Sequence, residues 1–142
     1  MLTLTRKLAF TAGHVYRGGG VSDEELKRLF GIAAEPSGHG HNYVLEVTIG
    51  GRVDPVTGMA ADLEELESAV SRTVLDVVDH RTLDADVPAL TGVITTGENL
   101  ARVFWEMLSA ALPAGTLRRI ALVETANNTF EYYGESTDGD TA

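Results

Sequence analysis

A chain of 142 residues is long enough for one domain with a real core, and its 44% hydrophobic and 23% charged residues exclude a disordered segment. With 11 Lys and Arg against 21 Asp and Glu, the formal net charge of -10 repels nucleic acid and anionic membranes, so neither is an expected partner. No cysteine is present, which excludes disulfides, thiolate metal sites and a cysteine nucleophile.

The first residues lack an apolar signal-like core. No run approaches the roughly 18 apolar residues of a spanning helix, so the expected setting is cytoplasmic. Residues 2–11 alternate, with Leu2, Leu4, Leu8 and Phe10 against Thr3, Thr5, Lys7 and Thr11, the period of a half-buried strand. Gly18 to Gly20 mark a loop. Ser22 and Glu25 form a capping-box pair ahead of Leu26, Leu29 and Phe30, which predicts a short helix near 23–30. Gly31 to Gly40 reads as a second loop. Residues 41–50 alternate again, with Tyr43, Leu45, Val47 and Ile49 on one face. Asp62, with Glu65 three residues on, opens a helix whose stripe is Leu63, Leu66, Val70, Val74 and Val77. After a loop over about 80–96, Leu100, Val103, Phe104, Met107, Leu108 and Ala111 predict a further helix, closed by Pro113 and Gly115. Leu117 to Thr125 and Phe130 to Tyr133 read as strands. The expectation is an α+β domain over residues 1–135, a four-stranded antiparallel sheet with two long helices on one face, and a polar tail over 136–142.

His39 and His41, two apart at the entrance of a strand, point to one face if the strand already runs there. They are then either loop imidazoles bonded to backbone and water, or two ligands of one metal. His14, at the end of the first strand, would add a third and leave the open position of a catalytic site. Asp79-His80 is either a carboxylate that orients an imidazole or an ordinary helix C-terminus. Glu124 shares parity with Ile120 and Leu122. It either reaches solvent at the strand end or is buried, where it would suit the adjacent N–H donors of an amino-pyrimidinone. Glu35 is an exposed loop acid or a general base. Thr96 is a helix cap or a ligand contact.

Together these stretches resemble the superfamily of 6-pyruvoyl-tetrahydropterin synthase and 6-carboxytetrahydropterin synthase. The resemblance rests on Phe10 to His14, Gly38 to Tyr43, Asp54 to Met59, Asp79-His80 with Leu83-Asp84, Thr96 to Leu100, and Val123 to Thr125. They lie in the family's order across about residues 4–135. It implies the tunnelling fold, in which sheets of several subunits join into a barrel, and a homo-hexamer built as a dimer of trimers. It implies Zn2+ held by His14, His39 and His41, and a pterin site between subunits. There Glu124 would anchor the ring and Thr95 and Thr96 would contact it. Asp79 and His80 match the pair that serves proton transfer.

One departure stands out. The family's cysteine base falls at Ala33 by pyruvoyl-type spacing and at Glu35 by carboxy-type spacing. The run Glu35-Pro36-Ser37-Gly38-His39 resembles the type III subgroup, in which a glutamate replaces the cysteine. That subgroup implies cleavage of the 7,8-dihydroneopterin triphosphate side chain to 6-hydroxymethyl-7,8-dihydropterin, a folate precursor, with Glu35 as base. The alternatives are 6-pyruvoyl-tetrahydropterin formation by triphosphate elimination, recruitment to a specialised pathway, or a catalytically silent pterin- or purine-binding protein. Arg17, Lys27 and Arg28, or the backbone of Gly18 to Gly20, are candidates to meet the triphosphate.

Overall fold

The computed structural model describes residues 1–16, 21–31 and 38–135. Glu35, Ala33, Arg17, Gly18 to Gly20 and the tail over 136–142 lie outside them.

The alternating N-terminal segment forms β1 (Leu2–His14), three residues longer than its polar-apolar alternation indicates. Leu8, Phe10, Ala12 and His14 face the core. β1 pairs along its whole length with β2 (His39–Gly51), in a register that sets Phe10 opposite Tyr43, Ala12 opposite His41 and His14 opposite His39. Between them lies α1 (Asp23–Phe30), where the Ser22 hydroxyl accepts from the Glu25 amide. Its acidic first turn and basic last turn complement the helix dipole.

α2 (Leu63–Val70) starts at Asp62, whose carboxylate accepts from the Glu65 amide. The helix widens through a π turn over Ser71–Leu75 and ends in α3 (Asp76–Val78). The segment expected as a loop over 80–96 is more ordered than its composition suggests. It contains β3 (Arg81–Thr82), α4 (Leu83–Asp86) and a 3-10 turn (Pro88–Leu90), pinned by the buried side chains of Leu83, Val87 and Leu90. α5 (Gly97–Ala111), β4 (Leu117–Thr125) and β5 (Asn128–Tyr132) follow.

The sheet order is β3-β1-β2-β4-β5. The expected four-stranded antiparallel sheet is therefore a five-stranded mixed one. The extra strand is two residues long and runs parallel to β1 at Ala12 and Gly13. It escapes sequence reading because a two-residue strand has no periodicity. The long helices cover one face, packing Val70, Val74, Leu100, Phe104 and Leu108 onto Tyr43, Leu45, Val47, Ile120 and Leu122. The other face is polar. Arg119 spans Glu46 and Glu131 there, and Thr5 meets Thr48. Apart from Ala12 and Gly13, β1 has no strand on its outer side among the described residues, and β5 pairs only with β4.

Candidate active site

The rungs that end the β1–β2 ladder build the site. Because side chains alternate along a strand, His14, His39 and His41 emerge on the face that bears Phe10 and Tyr43. The Nε2 atoms of His14 and His39 are 2.9 Å apart, and one nitrogen from each of the three imidazoles lies within 4.8 Å of the others. His14 Nδ1 donates to the Thr95 carbonyl at 2.8 Å, which leaves Nε2 as the lone-pair nitrogen of the neutral ring. Burial drives the His14 pKa down to about 4, against the smaller opposing pull of that carbonyl; His39 and His41 lower it further. The pKa of His39 is also lowered, first by burial and then by His41. Nδ1 of His39 and Nε2 of His41 are buried without a protein partner. Burial that favours the neutral form of His14 and His39, converging nitrogens and orphaned buried atoms fit a divalent metal, and three nitrogen donors suit zinc with a position left for a substrate oxygen.

Around this cluster Thr95 and Asp84 have roles that differ from those the sequence pattern suggested, and Tyr16 is a residue it did not mark. The buried Thr95 supplies its carbonyl to His14, a backbone role that composition cannot reveal. Asp84 accepts from the Val15 amide at 2.9 Å and fixes the chain just after His14. Tyr16 sits edge-on to His14 and against Phe30 of α1. Its pKa is pushed up to about 12, by burial first and then by Glu124 and Glu98.

Glu124 is buried at 8% exposure, so of the two sequence readings the structure shows the inward one. Its Oε2 has no partner. The pairing of β2 and β4 ends with Val44 opposite Val123, one residue short of Tyr43 and Glu124, and the Glu124 charge acts on the Tyr43 phenol. Thr96 caps α5, its hydroxyl accepting from the Asn99 amide at 3.4 Å.

Asp79 and His80 are in contact with each other, Nδ1 to Oδ1 at 3.0 Å. They lie on the outer side of β1: Asp79 accepts from the Thr11 amide and the His80 amide donates to the Thr11 carbonyl. The Asp79 pKa is lowered, chiefly by the Thr11 amide. His80 is exposed and adopts φ 58, the left-handed region. Its ring is not among those packed on His14, His39 and His41, so within one chain the structure does not bring this pair to the metal cluster. Of the candidate phosphate-binding cations among the described residues, Arg28 is engaged by Glu25.

The family model for 6-pyruvoyl tetrahydropterin synthase matches residues 3–135. The 6-pyruvoyl tetrahydrobiopterin synthase of Poecilia reticulata is 42% identical over 132 residues, covering 93% of this chain and 90% of that protein. The human protein of the same name is 40% identical, covering 93% and 91%. The structure of Caenorhabditis elegans 6-pyruvoyl tetrahydropterin synthase superposes with a TM-score of 0.89 at 38% identity, over 94% of this chain and 96% of that one. A Plasmodium vivax 6-pyruvoyltetrahydropterin synthase, in a variant described as a catalytic residue mutant in which alanine replaces glutamate, shares the fold. Its TM-score is 0.66 at 12% identity, over 95% and 98% of the two chains. The α+β domain is thus the tunnelling fold of these enzymes.

Proposed function

From its membership of the 6-pyruvoyl tetrahydropterin synthase family, to which this chain belongs, we propose that it is a zinc-dependent lyase that converts 7,8-dihydroneopterin triphosphate to 6-pyruvoyl-tetrahydropterin. The observation that carries this reading is the convergence of His14, His39 and His41 near the buried Glu124, whose Oε2 has no partner and whose charge acts on His39. Relatives at 40% and 42% identity carry the name of that activity. They favour it over the 6-hydroxymethyl-7,8-dihydropterin expected from the sequence.

His14, His39 and His41 would hold the zinc, which when bound supplies Lewis-acid polarisation of the substrate's side-chain oxygens. Glu124, as a carboxylate, accepts from adjacent N–H groups of the pterin ring and fixes its orientation. Thr95 keeps His14 in the ligating tautomer and so sets where the side chain is held. Asp79 accepts from the Thr11 amide and orients His80 to carry a proton. The exposed placement of this pair suits a site shared between subunits, where His80 faces a neighbouring chain's histidines. Among the described residues, β5 and the part of β1 before Ala12 carry no strand on their outer sides, which suits assembly into a barrel, as a hexamer of two trimers.

A second reading is kept for one observation: the chain has no cysteine to act as base. Glu35 is then the candidate proton acceptor, and the glutamate described as a catalytic residue in the Plasmodium vivax protein supports a carboxylate in that role. A carboxylate that takes the proton of a side-chain hydroxyl would let the adjacent carbon–carbon bond break, its electron pair passing to the ring imine. The outer carbons leave as a phosphorylated aldehyde and a proton returns to the carbon left on the ring, which gives 6-hydroxymethyl-7,8-dihydropterin. Chromatographic product analysis after incubating the zinc-loaded protein with 7,8-dihydroneopterin triphosphate separates the two. 6-Pyruvoyl-tetrahydropterin is the expected product. 6-Hydroxymethyl-7,8-dihydropterin as sole product would replace the first reading with the second, and an unchanged substrate would remove both.

A further inference from the structure

Tyr43 is fully buried, stacked on Phe10 at 4.8 Å between ring centroids and lying 5.4 Å from the His41 ring. Such a ring belongs in a core, but its hydroxyl does not: the Oη atom is buried and has no hydrogen-bond partner. A buried hydroxyl left unpaired destabilises the fold, and phenylalanine would fill the same space without that cost. The second orphaned oxygen of the pocket is Glu124 Oε2. A donor and an acceptor near enough to act on each other electrostatically are thus buried next to the histidine cluster, and neither has a hydrogen-bond partner.

Two such orphans of opposite kind form half of a hydrogen-bonding edge. Their complement presents N–H donors to the carboxylate and a lone pair to the phenol. We propose that Tyr43 is a specificity-determining residue, its hydroxyl donating a hydrogen bond to a ring acceptor of the bound heterocycle beside the N–H groups taken by Glu124. This rests on the pterin reading above and deepens it. An ordinary phenol carries its proton at neutral pH and can donate it. The hydroxyl then donates where the ring presents a lone pair, and a heterocycle that lacks this acceptor forfeits that hydrogen bond.

The test is equilibrium binding of pterin to zinc-loaded wild type, Tyr43→Phe and Glu124→Gln, with analogues that each lack one ring acceptor. Tyr43→Phe is expected to weaken pterin binding roughly tenfold while keeping full zinc content. One analogue is expected to bind wild type and Tyr43→Phe equally weakly. The thermal midpoint of the ligand-free variant is expected to stay level or rise, since an unpaired hydroxyl has been removed. A lowered midpoint with unchanged affinity would mean that the hydroxyl serves structure through a trapped water, and would overturn the inference. Unchanged binding by Tyr43→Phe with binding lost in Glu124→Gln overturns this inference alone. Wild type that binds no pterin removes the pterin reading with it. The analogue series on wild type stands independently of how the variant folds: if no single acceptor deletion weakens binding more than twofold, Tyr43 reads no acceptor.

Discussion

His14 ties the stability of the fold to pH. Its folded pKa of about 4 lies below the 6.5 of an exposed imidazole. The unfolded chain therefore takes up this proton first as pH falls. The stabilising contribution is complete above pH 6.5 and is lost as pH drops toward 4, on the order of 3 kcal/mol for one such group. Urea unfolding of metal-free protein at pH 7 and pH 5 should show a lower midpoint at pH 5, and His14→Gln should flatten that difference. A steeper pH dependence in the variant would contradict the assignment. Glu124→Gln keeps the shape of the side chain but replaces one acceptor oxygen with a donor. It is expected to raise KM for the pterin substrate at least tenfold with zinc content unchanged, read by steady-state kinetics and metal analysis. At this scale the site was partly legible. His14, His39, His41 and Glu124 follow from strand parity, because period-two alternation decides which side chains share a face. The Thr95 carbonyl, the Asp84 link to Val15 and the neighbourhood of Tyr43 and Glu124 do not. They depend on tertiary contacts or on a register between strands that lie far apart in the chain.

The elements carry a different set of consequences. Thr96 spends its hydroxyl on the first turn of α5, so Thr96→Ala should cost about 1 kcal/mol in denaturant unfolding. Gly97 follows it, and a methyl group there would run into the Phe130 ring of β5. Gly97→Ala should therefore destabilise by more than the helix propensity of alanine can offset, seen as a lower thermal midpoint. His80 occupies a left-handed conformation at the junction of α3 and β3, where glycine fits without strain. His80→Gly is expected to stabilise by up to about 1 kcal/mol while turnover collapses. An active His80→Gly variant would remove the proton-transfer role. Helix starts at Ser22, Asp62 and Thr96 were legible because capping is local chemistry. β3 and the short helices after it were not. They are held by Leu83, Val87 and Leu90 packing into a core that only the assembled fold provides.

For the molecule as a whole, one chain supplies the three histidines and the buried acid but leaves Asp79-His80 on the far side of β1. Activity should then depend on association. Light scattering is expected to give a hexamer, and specific activity should fall on dilution below its dissociation range. A fully active monomer would refute the shared site. No described helix is long and apolar enough to cross a membrane. The polar outer face of the sheet, where Arg119 joins Glu46 and Glu131, makes that surface a poor hydrophobic interface. Association is accordingly expected to use strand edges rather than this face.

The pairing of His14 with His39 on the last rung of the β1–β2 ladder has a mechanical consequence. The chain leaves the sheet at one of these residues and returns at the other, with α1 riding on the excursion between them. An ion shared by both imidazoles would fasten the neck of that excursion and lessen the loop-closure entropy of keeping α1 docked. Amide hydrogen exchange in Leu26 and its helical neighbours should accelerate on chelation, before the central strands lose protection. Metal supply would in that way govern the mechanical integrity of one flank of the pocket as well as its chemistry.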